Sequence, residues 1–208
     1  MSRMRVALVL VLAAMSGVLV GVAIRVADSG AELNPALTKL HGQATWSPGE
    51  RPAPRFELPD QDGRLVSLEQ LRGRPVLLTF FDSLCEEQCP VAGHQLGQIL
   101  SQMPSDTRPA VVVVSVNPRG DTPSNIREAM DHWRLDGSWR WHWLRGTERQ
   151  LEAVWKAFGV AVEPTKHAVV HGLVLHLIDR QGYQRAGYLF PFLPNFVELD
   201  LRSLAREA

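Results

Sequence analysis

Cys85 and Cys89 carry the only two thiols in 208 residues, and three residues separate them. Thiol redox chemistry or the binding of a soft metal ion therefore has to begin there. At this spacing in a loop the two sulfurs can join in a disulfide or converge on one ion, and a thiolate pair suits Cu(I) or zinc. A purely structural disulfide is the plainer alternative. Glu86 and Glu87 lie between the cysteines, and two carboxylates oppose a neighbouring thiolate while welcoming a cation. Pro90 lacks an amide hydrogen and biases the residue before it towards extended geometry. That predicts Pro90 at the first helical position and Cys89 as the cap, where the helix N-terminus pulls a thiol below its free pKa of about 8.5.

The elements around this loop follow from patterning. Val76–Phe81 (VLLTFF) is continuously apolar, as expected of a central strand covered on both faces, so the cysteines fall in a strand-to-helix loop. Upstream, Phe56-Glu57-Leu58 and Leu65-Val66 flank the Gln61-Asp62-Gly63 turn as a hairpin. Ser67 and Gln70 form a capping-box pattern for a short helix ended by Gly73. Downstream the pattern predicts a helix over 91–103, a buried strand over 111–116, a helix over 124–135 and a half-buried strand through Trp139, Trp141 and Trp143. A helix from Leu151 to Phe158 follows, capped by Thr147 with Gln150 and closed by Gly159. Strands over 169–179 and 183–189, joined at Arg180-Gln181-Gly182, precede a last helix from about Asn195.

With 45% hydrophobic residues the chain can bury one good core plus a membrane segment. Formal net charge is zero, from 22 basic and 22 acidic residues, and no basic block supplies a footprint for nucleic acid. Residues 6–24 carry no charge. As a helix they would span about 28 Å, close to a hydrocarbon core of roughly 30 Å. Arg3 and Arg5 precede them, while Asp28 and Glu32 follow Arg25. The positive-inside bias therefore predicts a single-pass anchor in a bacterial inner membrane, N-terminus inside, with the domain on the periplasmic or other extracytoplasmic side. A cleaved signal peptide is the competing reading, Gly21-Val22-Ala23 supplying the small residues. The expected organisation is an n-region and transmembrane anchor over 1–26, a linker over 27–50, and a globular domain over 51–208. His41 and Trp46 are read as incidental to the linker.

Five segments in order carry a resemblance to the Sco/SenC family. They are the Asp62-Gly63 turn with Leu71-Arg72-Gly73-Arg74-Pro75-Val76, the loop Phe80-x2-Ser83-x-Cys85-x3-Cys89-Pro90, Ser115-Val116-Asn117-Pro118-x2-Asp121-Thr122-Pro123, Leu144-x-Gly146-Thr147, and His171-x6-Ile178-Asp179-x2-Gly182. The resemblance covers roughly residues 51 to 190. It implies a thioredoxin-like α/β fold, a central mixed sheet flanked by helices with an N-terminal hairpin. It also implies a copper site made by Cys85, Cys89 and His171, where two thiolates suit Cu(I) and an imidazole lets the site accept Cu(II). Two departures stand out: Glu86 replaces the proline common after the first cysteine, and Val170 replaces the aspartate common before the histidine, removing a partner that would orient His171.

The function so implied is a membrane-anchored copper metallochaperone delivering to the CuA centre in the copper-binding subunit of a cytochrome c oxidase, a binding protein rather than an enzyme. Thioredoxin-like reductants or other copper chaperones are the further partners implied. The alternative is a thiol-disulfide oxidoreductase in which Cys85 attacks and Cys89 resolves, or the reverse. Against it, Leu173 occupies the position where thioredoxin-like reductants carry a cis-proline. A peroxidase of the peroxiredoxin type is disfavoured by Asp82, whose carboxylate stands where a hydroxyl residue would orient the peroxide. Among the other histidines, His167 and His94 compete as ligands, whereas His132, His142 and His176 read as structural or surface residues.

Overall fold

The computed structural model describes residues 39–135, 141–165 and 169–207. The expected anchor over 6–24, His167 and Trp139 lie outside them. Among the described residues no helix is long and apolar enough to cross a membrane.

Ten strands and four helices make up the regular structure of the described chain. The strands are β1 (Ala44–Thr45), β2 (Glu57–Pro59), β3 (Leu65–Ser67), β4 (Val76–Phe81), β5 (Ala110–Ser115), β6 (Trp141–Leu144), β7 (Val162–Pro164), β8 (Val169–His171), β9 (Val174–Ile178) and β10 (Gln184–Leu189). The helices are α1 (Gln88–Gln102), α2 (Pro123–His132), α3 (Glu148–Phe158) and α4 (Pro194–Arg206). Six strands form one mixed sheet in the order β1-β10-β9-β4-β5-β6. Strands β4, β5 and β6 run parallel, and β9, β10 and β1 add antiparallel pairings.

All six residues of β4 are buried because each face of the sheet has its own core. Leu77 and Phe81 face a cluster containing Leu96, Leu100, Trp133, Trp143 and Leu201. Leu78 and Phe80 face the other, with Leu151, Trp155 and Phe158. The period-two geometry of a strand makes this division, and a continuous apolar run is its sequence form. The capping box at Thr147 forms as expected, and Gly159, at φ 72°, closes α3 in the left-handed region.

Three expectations are corrected. The box at Ser67 and Gln70 does form, its amides and side chains bonding reciprocally at 3.1 and 3.4 Å. It closes a series of turns, however, and not a helix. The strand expected over 169–179 is broken at Gly172, so His171 ends the separate β7–β8 hairpin. Residues 39–50, expected to be linker, are docked. Ala44 and Thr45 pair with Gly187 and Ala186 of the sheet, and a Cβ on Gly42 would lie 2.9 Å from the Gly187 carbonyl oxygen. His41 donates from Nδ1 to Asp200 at 2.7 Å and stacks on Phe196. Tyr188 donates to the same buried carboxylate at 2.5 Å. Arg51 lies 4.3 Å over the Trp46 ring.

His176 points into the second core, 5.1 Å from the Phe158 ring and 6.2 Å from that of Phe80. Burial lowers its pKa to about 4. An unfolded histidine takes up its proton near 6.5. Stability is therefore complete above about pH 7 and lost as pH falls from 6.5 towards 4, by at most about 3 kcal/mol. The His176→Leu variant should lack this component, so its urea midpoint should fall less than the parent's between pH 7 and 4.5.

Candidate metal centre

Phe81 delivers the chain from β4 to a loop held down by two buried carboxylates. Asp82 Oδ1 accepts the Leu84 amide at 2.9 Å and the Asn117 side-chain amide at 3.0 Å. Asp121 Oδ1 accepts the Ser83 amide at 2.8 Å, and burial raises this acid to about 6. The Cys85 amide donates to the Asp82 carbonyl at 3.1 Å. These residues fix the loop between the ends of β4 and β5. In the sequence, Asp82 argues only against peroxidase chemistry. Asn117 and Asp121 lay in a motif without a stated role; their position just after a buried strand was the available signal.

Helix α1 starts earlier than Pro90 predicts. Glu87 is its cap but makes no side-chain capping bond. Cys85 Sγ takes over that role, accepting the Cys89 amide at 3.4 Å. Pro90 sits within the first turn, where its missing amide would have had no intrahelical partner anyway. The expected electrostatics are thereby reversed between the two cysteines. A hydrogen bond from the Cys89 side chain lowers Cys85 to about 5, against the opposing effect of burial and with help from the amides of Cys89, Glu87 and Gln88. The same bond, with burial and the charge on Cys85, raises Cys89 far above the ordinary thiol range. The pair thus shares one proton, held on Cys89. Alkylation by iodoacetamide should modify Cys85 with a midpoint near pH 5 and spare Cys89 in the folded protein, as peptide mass analysis would show. Equal labelling of both would contradict the assignment.

Both cysteines are free, Cys85 half-buried and Cys89 fully buried. Across from them, His171 brings Nε2 to 3.7 Å from Cys89 Sγ. Its Nδ1 lies 3.2 Å from the Gly172 carbonyl. A carbonyl only accepts, so Nδ1 carries the hydrogen and Nε2 presents its lone pair to the sulfur. Burial lowers the His171 pKa, opposed by the Gly172 bond and by the charges on Cys85 and Asp82, so the ring is neutral and able to ligate at neutral pH. Cys85, Cys89 and His171 line one cleft of about 550 Å³ together with Glu86, Glu87 and Val170. No three His, Cys, Asp or Glu side chains among the described residues are already drawn into a closed cluster. The Cys89–His171 pair is in place.

Of the two competing histidines, His167 lies outside the described residues and His94 is engaged elsewhere, and the other ring nitrogens also lie apart from the cleft. His94 Nδ1 lies 2.8 Å from the Trp133 carbonyl, His142 pairs with Asp60 at 3.2 Å, and His132 is exposed on α2.

Comparison with known proteins bears on the family and the fold. A family model described as SCO1/SenC matches residues 45–191. A Stutzerimonas stutzeri protein named for copper binding is 29% identical over 145 residues, 66% of this chain and 69% of the relative. The SCO1 protein homolog of Bacillus subtilis is 25% identical over 146 residues, 68% and 75% of the two chains. Among solved structures, copper-bound ScoI of Bradyrhizobium japonicum aligns with a TM-score of 0.62 at 24% identity, covering 73% of this chain and 98% of that one. Copper-bound yeast Sco1 aligns at 0.63 with 20% identity, covering 73% and 86%. At these identities the structural likeness establishes the thioredoxin-like fold.

Proposed function

Because the chain belongs to the SCO1/SenC family, we propose that it is a membrane-anchored copper metallochaperone. It takes copper as cargo on Cys85, Cys89 and His171 and passes it to the CuA centre of a cytochrome c oxidase on the extracytoplasmic side. One observation carries the reading: Cys89 Sγ and His171 Nε2 meet at 3.7 Å in the cleft that also holds Cys85. Thiolate and imidazole ligands bound at the lengths typical of zinc sites stand about 3.6–3.8 Å apart on a shared ion, for angles between tetrahedral and trigonal. The pair therefore already has the separation of two ligands on one metal. Two sulfurs and an imidazole suit copper in either oxidation state. The cleft is open, and Glu86 and Glu87 are exposed at its rim, so acidic charge stands beside the first cysteine instead of beside the histidine.

Anaerobic Cu(I) titration against a competing chelator should give one copper per chain, and the protein should restore oxidase activity to membranes of a strain lacking it. Dithiol exchange without copper binding would instead favour a thiol-disulfide oxidoreductase. The anchor over 6–24 makes a separate prediction. Full-length protein should stay with membranes through carbonate washing, and protease added to spheroplasts should digest the domain. A shortened soluble product would support signal cleavage.

A further inference from the structure

The two ends of the central sheet differ in charge. Strand β4 starts at Val76, which pairs with Ala110 of β5 and with Ile178 of β9, and Ile178 in turn faces Gln184 of β10. The connections that meet at this end are rich in arginine. Arg72 and Arg74 precede β4, Arg180 follows β9, and Arg206 closes α4. Arg180 ties them together, donating from Nε to the Gly73 carbonyl at 3.1 Å and from Nη1 to the Glu207 carbonyl at 2.9 Å. Arg51 joins them, its carbonyl accepting the Gln184 amide at 2.8 Å. Arg55 and Arg72 line a cleft of about 210 Å³ beside Gly182 and Tyr183. Arg51, Arg55, Arg72 and Arg206 are exposed, and Arg72, Arg74 and Arg206 form no ion pair among the described residues. The exposed carboxylates nearby are fewer: Glu69, paired with Arg55 at 3.2 Å, Glu50, Glu57 and Asp106. At the cysteine end Glu86 and Glu87 are exposed instead, with Leu84 and Val170 more than half exposed beside them.

A surface that gathers guanidinium groups and leaves several without a carboxylate complements a surface dense in phosphate, which arginine binds through paired N–H donors. The chain's own address supplies such a surface. Residues 1–38 precede the described structure, and 6–24 are the apolar segment read as an anchor. Only the fourteen residues 25–38 then separate the lipid from the segment that docks on the sheet, a reach of at most about 50 Å. A short tether keeps the headgroups at high local concentration around the domain, so individually weak contacts suffice.

We propose that the arginine end rests on the anionic phospholipid headgroups of the membrane that holds the chain, and so turns the cysteine cleft away from the lipid. This rests on the anchor reading and is independent of copper. Each arginine close to an anionic surface favours contact by about fivefold, and salt screens the attraction. Strand β4 runs from the arginine end to the cysteine loop, which places the loop up to about 17 Å farther from the headgroups than the arginines. Leu84, Val170, Glu86 and Glu87 then face away from the bilayer, open to a protein partner.

The test places full-length protein in nanodiscs of phosphatidylcholine, alone or mixed with phosphatidylglycerol, and follows arginine modification by phenylglyoxal through peptide mass analysis. At low salt phosphatidylglycerol should slow modification of Arg72 and Arg206 at least about fivefold. Arg127 and Arg149, exposed on α2 and α3, should stay within twofold, and high salt should remove the difference. Arg72→Glu combined with Arg206→Glu should abolish the protection of Arg51 and Arg55. Arg127→Glu combined with Arg149→Glu, the same change in net charge elsewhere, should leave that protection intact. Equal rates in the two kinds of disc, or equal protection of all these arginines, overturns the proposal. So does equal protection by inorganic phosphate in neutral discs, which marks a site for a soluble anion. If the chain leaves the discs, the anchor reading fails on its own. Flotation of the released protein with phosphatidylglycerol vesicles, lost in the Arg72→Glu, Arg206→Glu variant, then still supports the arginine end as the lipid-binding surface, and absence of flotation overturns it.

Discussion

His171→Ala should bind copper at least about a hundredfold more weakly while its Cys85/Cys89 couple still cycles between dithiol and disulfide. Cys85→Ser and Cys89→Ser should each lose both properties, copper affinity falling about a thousandfold or more, which is about 4 kcal/mol. The contrast follows from what each chemistry needs. A metal site loses a ligand with any of the three changes, whereas dithiol exchange needs only two sulfurs and access. His171 is a favourable test position because it is only partly buried at the end of a short hairpin, with Cys89 and the Gly172 carbonyl as its polar contacts. Its removal leaves both core clusters untouched. His94→Ala, whose imidazole is tied to the Trp133 carbonyl, is the matching control and should shift affinity less than tenfold. Copper content, reduction of a model disulfide and oxidase activity in membranes, scored across the panel, separate the outcomes. Full copper binding and full oxidase activity in His171→Ala, with both cysteine variants inactive, would make the dithiol reading the better one.

What was legible in the sequence is what short-range pattern encodes. The run from Val76 to Phe81 is apolar at both parities, so a doubly covered strand could be read without knowing what covers it. Thr147 and Gln150 cap α3 through bonds three residues apart, and Gly159 closes it. The nearness of His171 to the cysteines was inferred from topology, and the register explains why it works: Leu78 pairs with His176 and Thr79 with Leu175, which sets β9 beside β4 and so brings the start of β9 to the cysteine loop. The polarity of the cysteine pair was not legible. It depends first on the hydrogen bond between the two cysteine side chains and on the deeper burial of Cys89, and then on Cys85 folding back to accept the Cys89 amide, in a loop held by Asp82 and Asp121. The docking of residues 39–50 was hidden for a related reason. His41 bonds to Asp200 and Trp46 to Arg185 across separations of 159 and 139 residues, and no local periodicity marks such contacts.

Arg185→Met should destabilise the fold by about 3–5 kcal/mol, the range expected when one partner of a buried ion pair is removed. Arg185 is 3% exposed, and its guanidinium grips the Glu207 carboxylate with two nitrogens, Nη2 reaching Oε1 at 3.0 Å. A longer contact of 3.5 Å runs to Asp179, and Nε donates to the Trp46 carbonyl at 3.1 Å. One side chain thus staples the docked N-terminal segment, the β9–β10 turn and the end of α4. Methionine would fill much of the volume, so the loss is expected to come mainly from charge. Asp179 keeps two backbone donors, from Gln181 and Tyr183, but the buried Glu207 carboxylate would lose its ion-pair partner. A second change, Glu207→Gln, should therefore recover part of the stability in the Arg185→Met background while costing stability on its own. Urea denaturation followed by tryptophan fluorescence measures all four states of this cycle. A single-variant loss below about 1 kcal/mol, or no recovery in the double variant, would show that the guanidinium does not hold these three segments together.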